Sequence, residues 1–346
     1  MHFRVFGNFL YLSGKVRQRF SHSTTPNEAI SKAPPGNEVK EIKYPTEWAR
    51  IAITTIVLIF TWTLNALALV FSHDVVSRNP LSDLSFLIVP NEQKWASSVG
   101  DVVCVFAAVF ALFFLLIFHK HRTIVIKRFL YTLSVQFTMR AICICLTYYP
   151  SSFQNSYDQC VAPFQNGLQD LWRRVFDIMF KGLFLAGEKV YCGDLLFSGH
   201  TVVVAQSTFY LNHYTPFFLW PLRWLLIFFC AAGMICLTIS RAHYSVDVVI
   251  AYWIASLLFS FYHAFVLVPH NVRRETRAFR RSGLFWTMFE LERNVPAGRL
   301  PNRLEWPFSR PRFMVRFVKQ LDAPESDNRL GRFVKFLSRH RLKTHL

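Results

Sequence analysis

The sequence predicts an all-α, polytopic membrane protein: a bundle of six transmembrane helices with an interfacial helix in the long loop between the third and fourth spans. Three observations carry that expectation. The 346-residue chain is 52% hydrophobic and 16% aromatic, with 36 Phe, far oilier than an ordinary soluble domain. Its apolar residues gather into runs of roughly 17–25 residues, the length that crosses about 30 Å of hydrocarbon. Its net charge of +18 is concentrated in the two tails and one short loop, the pattern that sets orientation in a membrane.

Residues 1–48 are polar and contain proline. They are expected to be a mostly disordered tail, short for an independent domain. No compact apolar core precedes a small-residue cleavage site in the first twenty residues, so targeting is expected to fall to the first span. The transmembrane domain is expected at 49–269. Its spans fall at 50–71, 99–118, 129–148, 195–212, 222–240 and 246–268, the fourth being short and overlapped at its head by a polar motif. In the loop 149–194, the stretch from Leu171 to Phe180 has helical apolar spacing. It either lies in the membrane interface and guides lipid entry or packs on the bundle. Pro269 ends the last span, and 270–346 form a basic tail. From Asn271 to Leu346 there are 18 Lys and Arg against 7 Asp and Glu. In a membrane protein such a tail faces the anionic cytosolic leaflet, so nucleic acid is not expected as a partner.

Short-loop charge predicts the orientation. Lys120, Arg122, Lys127 and Arg128 fall between spans two and three, whereas the loop between spans one and two holds only Arg78 and Lys94. With six spans both termini are cytosolic, and the loops at 72–98, 149–194 and 241–245 are exoplasmic. His200 begins span four and His243 begins span six. Both even-numbered spans start on the exoplasmic face, so the two histidines are expected on one side at one depth.

Ionisable groups at the mouth of a span are costly, which makes function the default reading. His200 closes Ser198-Gly199-His200, and His243 opens His243-Tyr244-Ser245-Val246-Asp247. On a helix, Asp247 would lie one turn from His243 on the same face and fix its tautomer, leaving the other nitrogen free to attack. His200 would then handle protons for the leaving and incoming oxygens. Backbone N–H groups of Ser198 and Gly199 at a helix start suit phosphate oxygens, and Arg140, inside span three, is a charge partner for a phosphate. Bland alternatives stand beside these. A lone histidine at a membrane edge is more often an anchor, an i, i+4 His/Asp pair can be a simple helix pair, and Arg140 could pair with a lipid head group or with Asp101. The convergence of both strings favours a site. No Cys/His spacing suits a metal, and no cofactor is expected. Five of the seven cysteines sit in apolar runs. Cys160 and Cys192 share the long loop, and whether they are bonded stays open. A homo-oligomer is neither required nor excluded.

Ser-Gly-His followed by His-x-x-x-Asp resembles the lipid phosphate phosphatase superfamily. The fuller strings, Cys192-Gly193-Asp194-x-x-x-Ser198-Gly199-His200-Thr201-Val202 and His243-Tyr244-Ser245-Val246-Asp247-Val248-Val249-x-Ala251-Tyr252, resemble the sphingomyelin synthase family. Pro80-Leu81-Ser82-Asp83 is similar to that family's Pro-Leu-Pro-Asp, with Ser82 departing from proline. Arg140 to Pro150 is similar to its Arg-x-x-Thr…Leu-Pro element, with Cys143 in place of threonine. The resemblance covers roughly residues 45–275. It implies head-group transfer from phosphatidylcholine to ceramide in the Golgi or plasma membrane, with ceramide phosphoethanolamine synthesis or hydrolysis as alternatives. It implies His200, His243 and Asp247 as catalytic residues, and Arg140, Asp194, Ser198, Gly199 and Tyr148 as candidates for holding the substrate. Tyr148, Tyr149 and Phe197 are aromatic faces that could receive a quaternary ammonium, although packing suits any one of them as well. Ser240-Arg241 lie immediately ahead of Ala242-His243, closer than the phosphatase superfamily spaces its Ser-Arg, so that arginine's role is not carried over.

Overall fold

The computed structural model describes residues 44–305 apart from 155, 163–166, 182–190, 194, 217–218 and 277–280. Residues 1–43 of the expected disordered tail, the end of the basic tail and Asp194 therefore lie outside the described residues. Among the described residues the regular secondary structure is helical, and His119 and Leu304 form an isolated bridge. In chain order the helices are α1 (Trp48–Val75), α2 (Leu84–Ile88), α3 (Lys94–Phe118), α4 (Arg122–Leu146), α5 (Ser156–Gln159), α6 (Gly167–Lys181), α7 (Gly199–Tyr214), α8 (Trp220–Ile239), α9 (Ser245–Leu267), α10 (His270–Glu275) and α11 (Gly283–Leu291).

Five of these, α1, α3, α4, α8 and α9, are long and apolar enough to cross a membrane. The expected fourth span is instead the 16-residue helix α7, about 24 Å at 1.5 Å per residue and short of the hydrocarbon thickness. It starts at Gly199 rather than 195 because Ser198 caps it, its Oγ accepting from Thr201 N at 3.2 Å. It packs against α3, α4, α8 and α9, and Val204 and Ala205 meet Ala107, Cys230 and Ala255 at the bundle centre.

Helix faces follow from what each side touches. α3 buries the small stripe Gly100, Cys104, Ala107 and Ala111 and leaves Phe106, Val109 and Phe113 exposed. Small residues let helix backbones approach closely where lipid gives no hydrophobic drive. α1 does the same against α4, where Ala68 meets Ala141 and Ile144, while Ile53, Ile56 and Phe60 face outward.

The loop expected at 119–128 is shorter than the charges suggested. α4 starts at Arg122, so Lys127 and Arg128 are buried helix residues. Lys127 pairs with Glu47, and Arg128 makes a two-pronged pair with Glu292 at 2.9 and 2.7 Å. Apolar run length cannot register a helix that carries buried charges, because their partners lie far along the chain. The partner segment after α9 returns to the bundle. Lys120 N donates to Arg303 O, Glu305 N to Phe118 O and Gly298 N to Val266 O.

Helix α6 packs on the bundle by one face and leaves the other exposed. Val175 and Met179 pack on Ala66 and Val70 of α1, while Trp172, Phe176 and Phe180 are exposed. The loop is closed by a disulfide between Cys160 and Cys192, with Cα atoms 5.6 Å apart. His73 of α1 anchors the same point. Its Nε2 donates to Val161 O at 3.0 Å, so in a neutral ring Nδ1 accepts from Cys192 N at 2.9 Å.

Candidate active site

The two histidines meet. Their ring centroids are 5.9 Å apart at an interplanar angle of 56°, and both line a small cavity of about 80 Å³. Its wall comes from five places in the chain: Asp101 on α3, Ser151 and Ser152 after α4, Tyr191 to Gly193 beside the disulfide, His200 at the start of α7, and Ala242 with His243 in the α8–α9 turn. A volume this small suits a phosphate-sized group rather than a whole lipid.

His200 is the second residue of α7. Its Nε2 lies 3.5 Å from Asp101 Oδ1, while His200 Nδ1 and Asp101 Oδ2 are buried without hydrogen-bond partners among the described residues. Asp101 is thus the carboxylate beside the first histidine. The sequence offered it as a partner for Arg140, because both sit inside apolar spans and nothing local separates the pairings.

His243 is placed differently from the expectation. It does not share a helix with Asp247, because α9 begins at Ser245. His243 sits in the preceding turn, where its N–H reaches Leu237 O at 3.2 Å. Asp247 occupies the third position of α9 and caps it, Oδ2 accepting from Tyr244 N at 3.1 Å. This is half of a capping box. It accounts for the four-residue spacing without a helical His–Asp pair. Two atoms remain buried and unpartnered among the described residues, Asp247 Oδ1 and His243 Nδ1. Burial, then His200 and Arg140, push the His243 pKa well below the usual 6.5, which keeps the ring neutral at neutral pH.

The remaining candidates divide. Ser198 is fully buried, and its N–H is committed to Asp247 O at 3.3 Å, so it ties the two histidine strings together rather than offering its donor to a phosphate. Gly199 lies under the Arg140 guanidinium, where a Cβ would come within 3.3 Å of Arg140 Cζ. Arg140 is buried, with Nε donating to Phe197 O at 2.7 Å and NH1 to Asn65 Oδ1. It therefore braces the backbone that leads into Ser198. Tyr148 is exposed and lies outside the cavity, and Phe197 is buried. The aromatic residues that do line the cavity are Phe153 and Tyr191, which no short motif marked. Arg241 points away, its guanidinium 4.3 Å from the centre of the Phe86 ring and bonded to Pro90 O.

An all-α membrane bundle with two facing histidines between a Ser-Gly-His helix start and a capped His-x-x-x-Asp turn defines a class. Residues 191–264, which hold both strings, match the model of the PAP2 superfamily C-terminal. The relatives are narrower. The Caenorhabditis elegans protein named "Putative phosphatidylcholine:ceramide cholinephosphotransferase 3" is 35% identical over 288 residues, 81% of this chain and 83% of that one. Phosphatidylcholine:ceramide cholinephosphotransferase 2 of the same organism is 34% identical over 263 residues, 75% of this chain and 78% of that one. Sphingomyelin synthase-related protein 1 of Mus musculus is 31% identical over 286 residues, 79% of this chain and 56% of that one. The chain belongs to the sphingomyelin synthase family.

Proposed function

We propose that the protein is a phosphatidylcholine:ceramide cholinephosphotransferase, making sphingomyelin and diacylglycerol through a phosphohistidine intermediate. The observation that carries this reading is the pair of imidazoles on one buried, phosphate-sized cavity, each with its own carboxylate close in space or in sequence. His243 attacks the phosphorus of the donor lipid. As the P–O bond to diacylglycerol breaks, His200 gives a proton to the departing oxygen. His200 then takes the proton from ceramide's primary hydroxyl, whose oxygen displaces His243 from phosphorus. Asp247 Oδ1 accepts from His243 Nδ1 as substrate closes the site. That supplies the two orphaned atoms with each other and offsets the positive charge on the phosphorylated ring. Asp101 holds His200 from the other ring nitrogen, Nε2, leaving Nδ1 to move the protons. Arg140 and Gly199 shape the α7 start behind the phosphate, and Asp194 remains a candidate for head-group contact.

The topology we infer counts α7 as a sixth, short crossing inside the bundle. Both termini are then cytosolic and the cavity opens exoplasmically, in the Golgi or plasma membrane. A buried site fed from the bilayer also keeps water from the intermediate.

Membranes containing the chain are supplied with labelled ceramide and mixed phospholipids. Labelled sphingomyelin is the expected product. Labelled ceramide phosphoethanolamine would move the assignment to the ethanolamine head group. Released phosphocholine or phosphate without any ceramide product would replace transfer with hydrolysis.

A further inference from the structure

We propose that Asp83 is a positioning residue of this active site: through Ser245 it fixes the first turn of α9, and with it the turn that presents His243 beside Asp247. The proposal rests on the head-group-transfer reading above.

Asp83 closes Pro80-Leu81-Ser82-Asp83, a string that the chemistry at the histidines does not use. Its carboxylate does two jobs at once. Locally it caps α2, Oδ1 accepting from Ser85 N at 2.8 Å and from Ser85 Oγ at 2.5 Å. Across 162 residues of chain it also takes both donors of Ser245, with Oδ2 accepting from the backbone N at 3.0 Å and Oδ1 from Oγ at 2.6 Å. Ser245 is the first residue of α9, where backbone N–H groups have no partner within the helix. Asp247 takes the Tyr244 N–H and Asp83 takes the next one. The two carboxylates share the helix start, where negative charge is favoured.

A second tie runs through Tyr244. Its hydroxyl accepts from Leu81 N at 2.9 Å and faces the carbonyls of Pro150 and Ser151 at 3.2 and 3.3 Å. Residues 244 and 245 are thus both held by the 81–83 segment. His243 is only 2% exposed, and its Nδ1 has no partner among the described residues. The pointing of this ring is therefore set by the backbone of the turn, which Asp83 holds at Ser245 N and Asp247 at Tyr244 N, while Leu81 fixes the Tyr244 hydroxyl. Burial acts to raise the Asp83 pKa, but the bonds from Ser245 and Ser85 outweigh it and hold the carboxyl below its usual range.

The test uses the full chain reconstituted with phosphatidylcholine and ceramide, in the variants Asp83→Ala, Asp83→Asn, Ser245→Ala and the Asp83→Ala/Ser245→Ala double. Misplacing a reacting group by about 1 Å costs on the order of a hundredfold. We expect Asp83→Ala to lose kcat on that scale with KM little changed. Asp83→Asn keeps one acceptor and should lose less. The double variant should be no worse than the poorer single, because both remove one tie. A readout without turnover is the rate at which diethyl pyrocarbonate modifies His243, followed by peptide mass spectrometry. It should rise in Asp83→Ala and Ser245→Ala and stay unchanged at His270. Multiplicative losses in the double, or an unchanged His243 modification rate, would overturn the proposal and leave Asp83 a loop-holding residue. A wild-type chain that transfers no head group would refute the functional reading alone, since the modification rates still judge the tie. Should Asp83→Ala fail to fold, Asp83→Asn and Ser245→Ala, which delete a charge and a hydroxyl, decide the matter.

Discussion

A histidine in a turn has less freedom than one on a helix face, because its ring direction follows the backbone around it. His243 is in that position, with Asp247 two residues into the helix that follows. On the proposed mechanism His243→Ala abolishes transfer while the protein still reaches the membrane, as measured by labelled sphingomyelin against protein level. Full activity in that variant would end the mechanism. The acid limb of kcat/KM should lie below the ordinary histidine value of 6.5. Burial, then His200 and Arg140 beside it, favour the neutral ring, so protonation that disables it sets in only at lower pH. A limb at or above 6.5 would assign the step to another group. Both histidines, Asp247 and the Ser-Gly-His helix start were legible in the sequence, because each string is local. Asp101 was read only as a partner for Arg140 and Asp83 only as part of its string, since their actual contacts join segments far apart in the chain.

At the scale of elements, the cavity depends on a loop fastened to α1. Gly193 adopts φ +106° in that wall, and a Cβ there would come within 2.8 Å of Ser72 Oγ. Gly193→Ala forces a conformation that L residues rarely adopt and costs about 1–3 kcal/mol. It should lower the thermal midpoint in detergent and reduce transfer, and an unchanged midpoint would contradict the close packing. Helix boundaries were read less well than helix existence. Hydropathy placed α4 seven residues late, because the buried, paired Lys127 and Arg128 look like loop charges when their partners are unknown. It started α7 four residues early, because the apolar run begins before the Ser198 cap.

At the scale of the molecule, a buried ionic junction joins α4 to the segment after α9. Glu292 accepts from Arg128 twice and from Tyr262 at 2.8 Å, and Arg128 also reaches Tyr214 at 3.0 Å. Burial favours the neutral carboxyl, but Arg128 and Lys127 prevail and hold Glu292 well below its usual range. A carboxylate with a depressed native pKa contributes stability that is present above its unfolded value and is lost as pH falls. Glu292→Ala leaves a buried guanidinium without its partner and should cost roughly 3–5 kcal/mol, read as a lower denaturation midpoint far from the catalytic cavity. This junction was illegible in the sequence, where residues 270–346 read as a separate basic tail. Its acidic members are few, and only the fold shows which cations they meet.

The central claim is that His243 carries the head group between lipids. The most direct measurement is peptide mapping of the wild-type chain, quenched after exposure to head-group-labelled phosphatidylcholine with no acceptor present. The account predicts a phosphocholine adduct on the peptide containing His243, discharged to sphingomyelin when ceramide is added. An adduct on the His200 peptide, or no adduct while labelled ceramide is still converted, would contradict it.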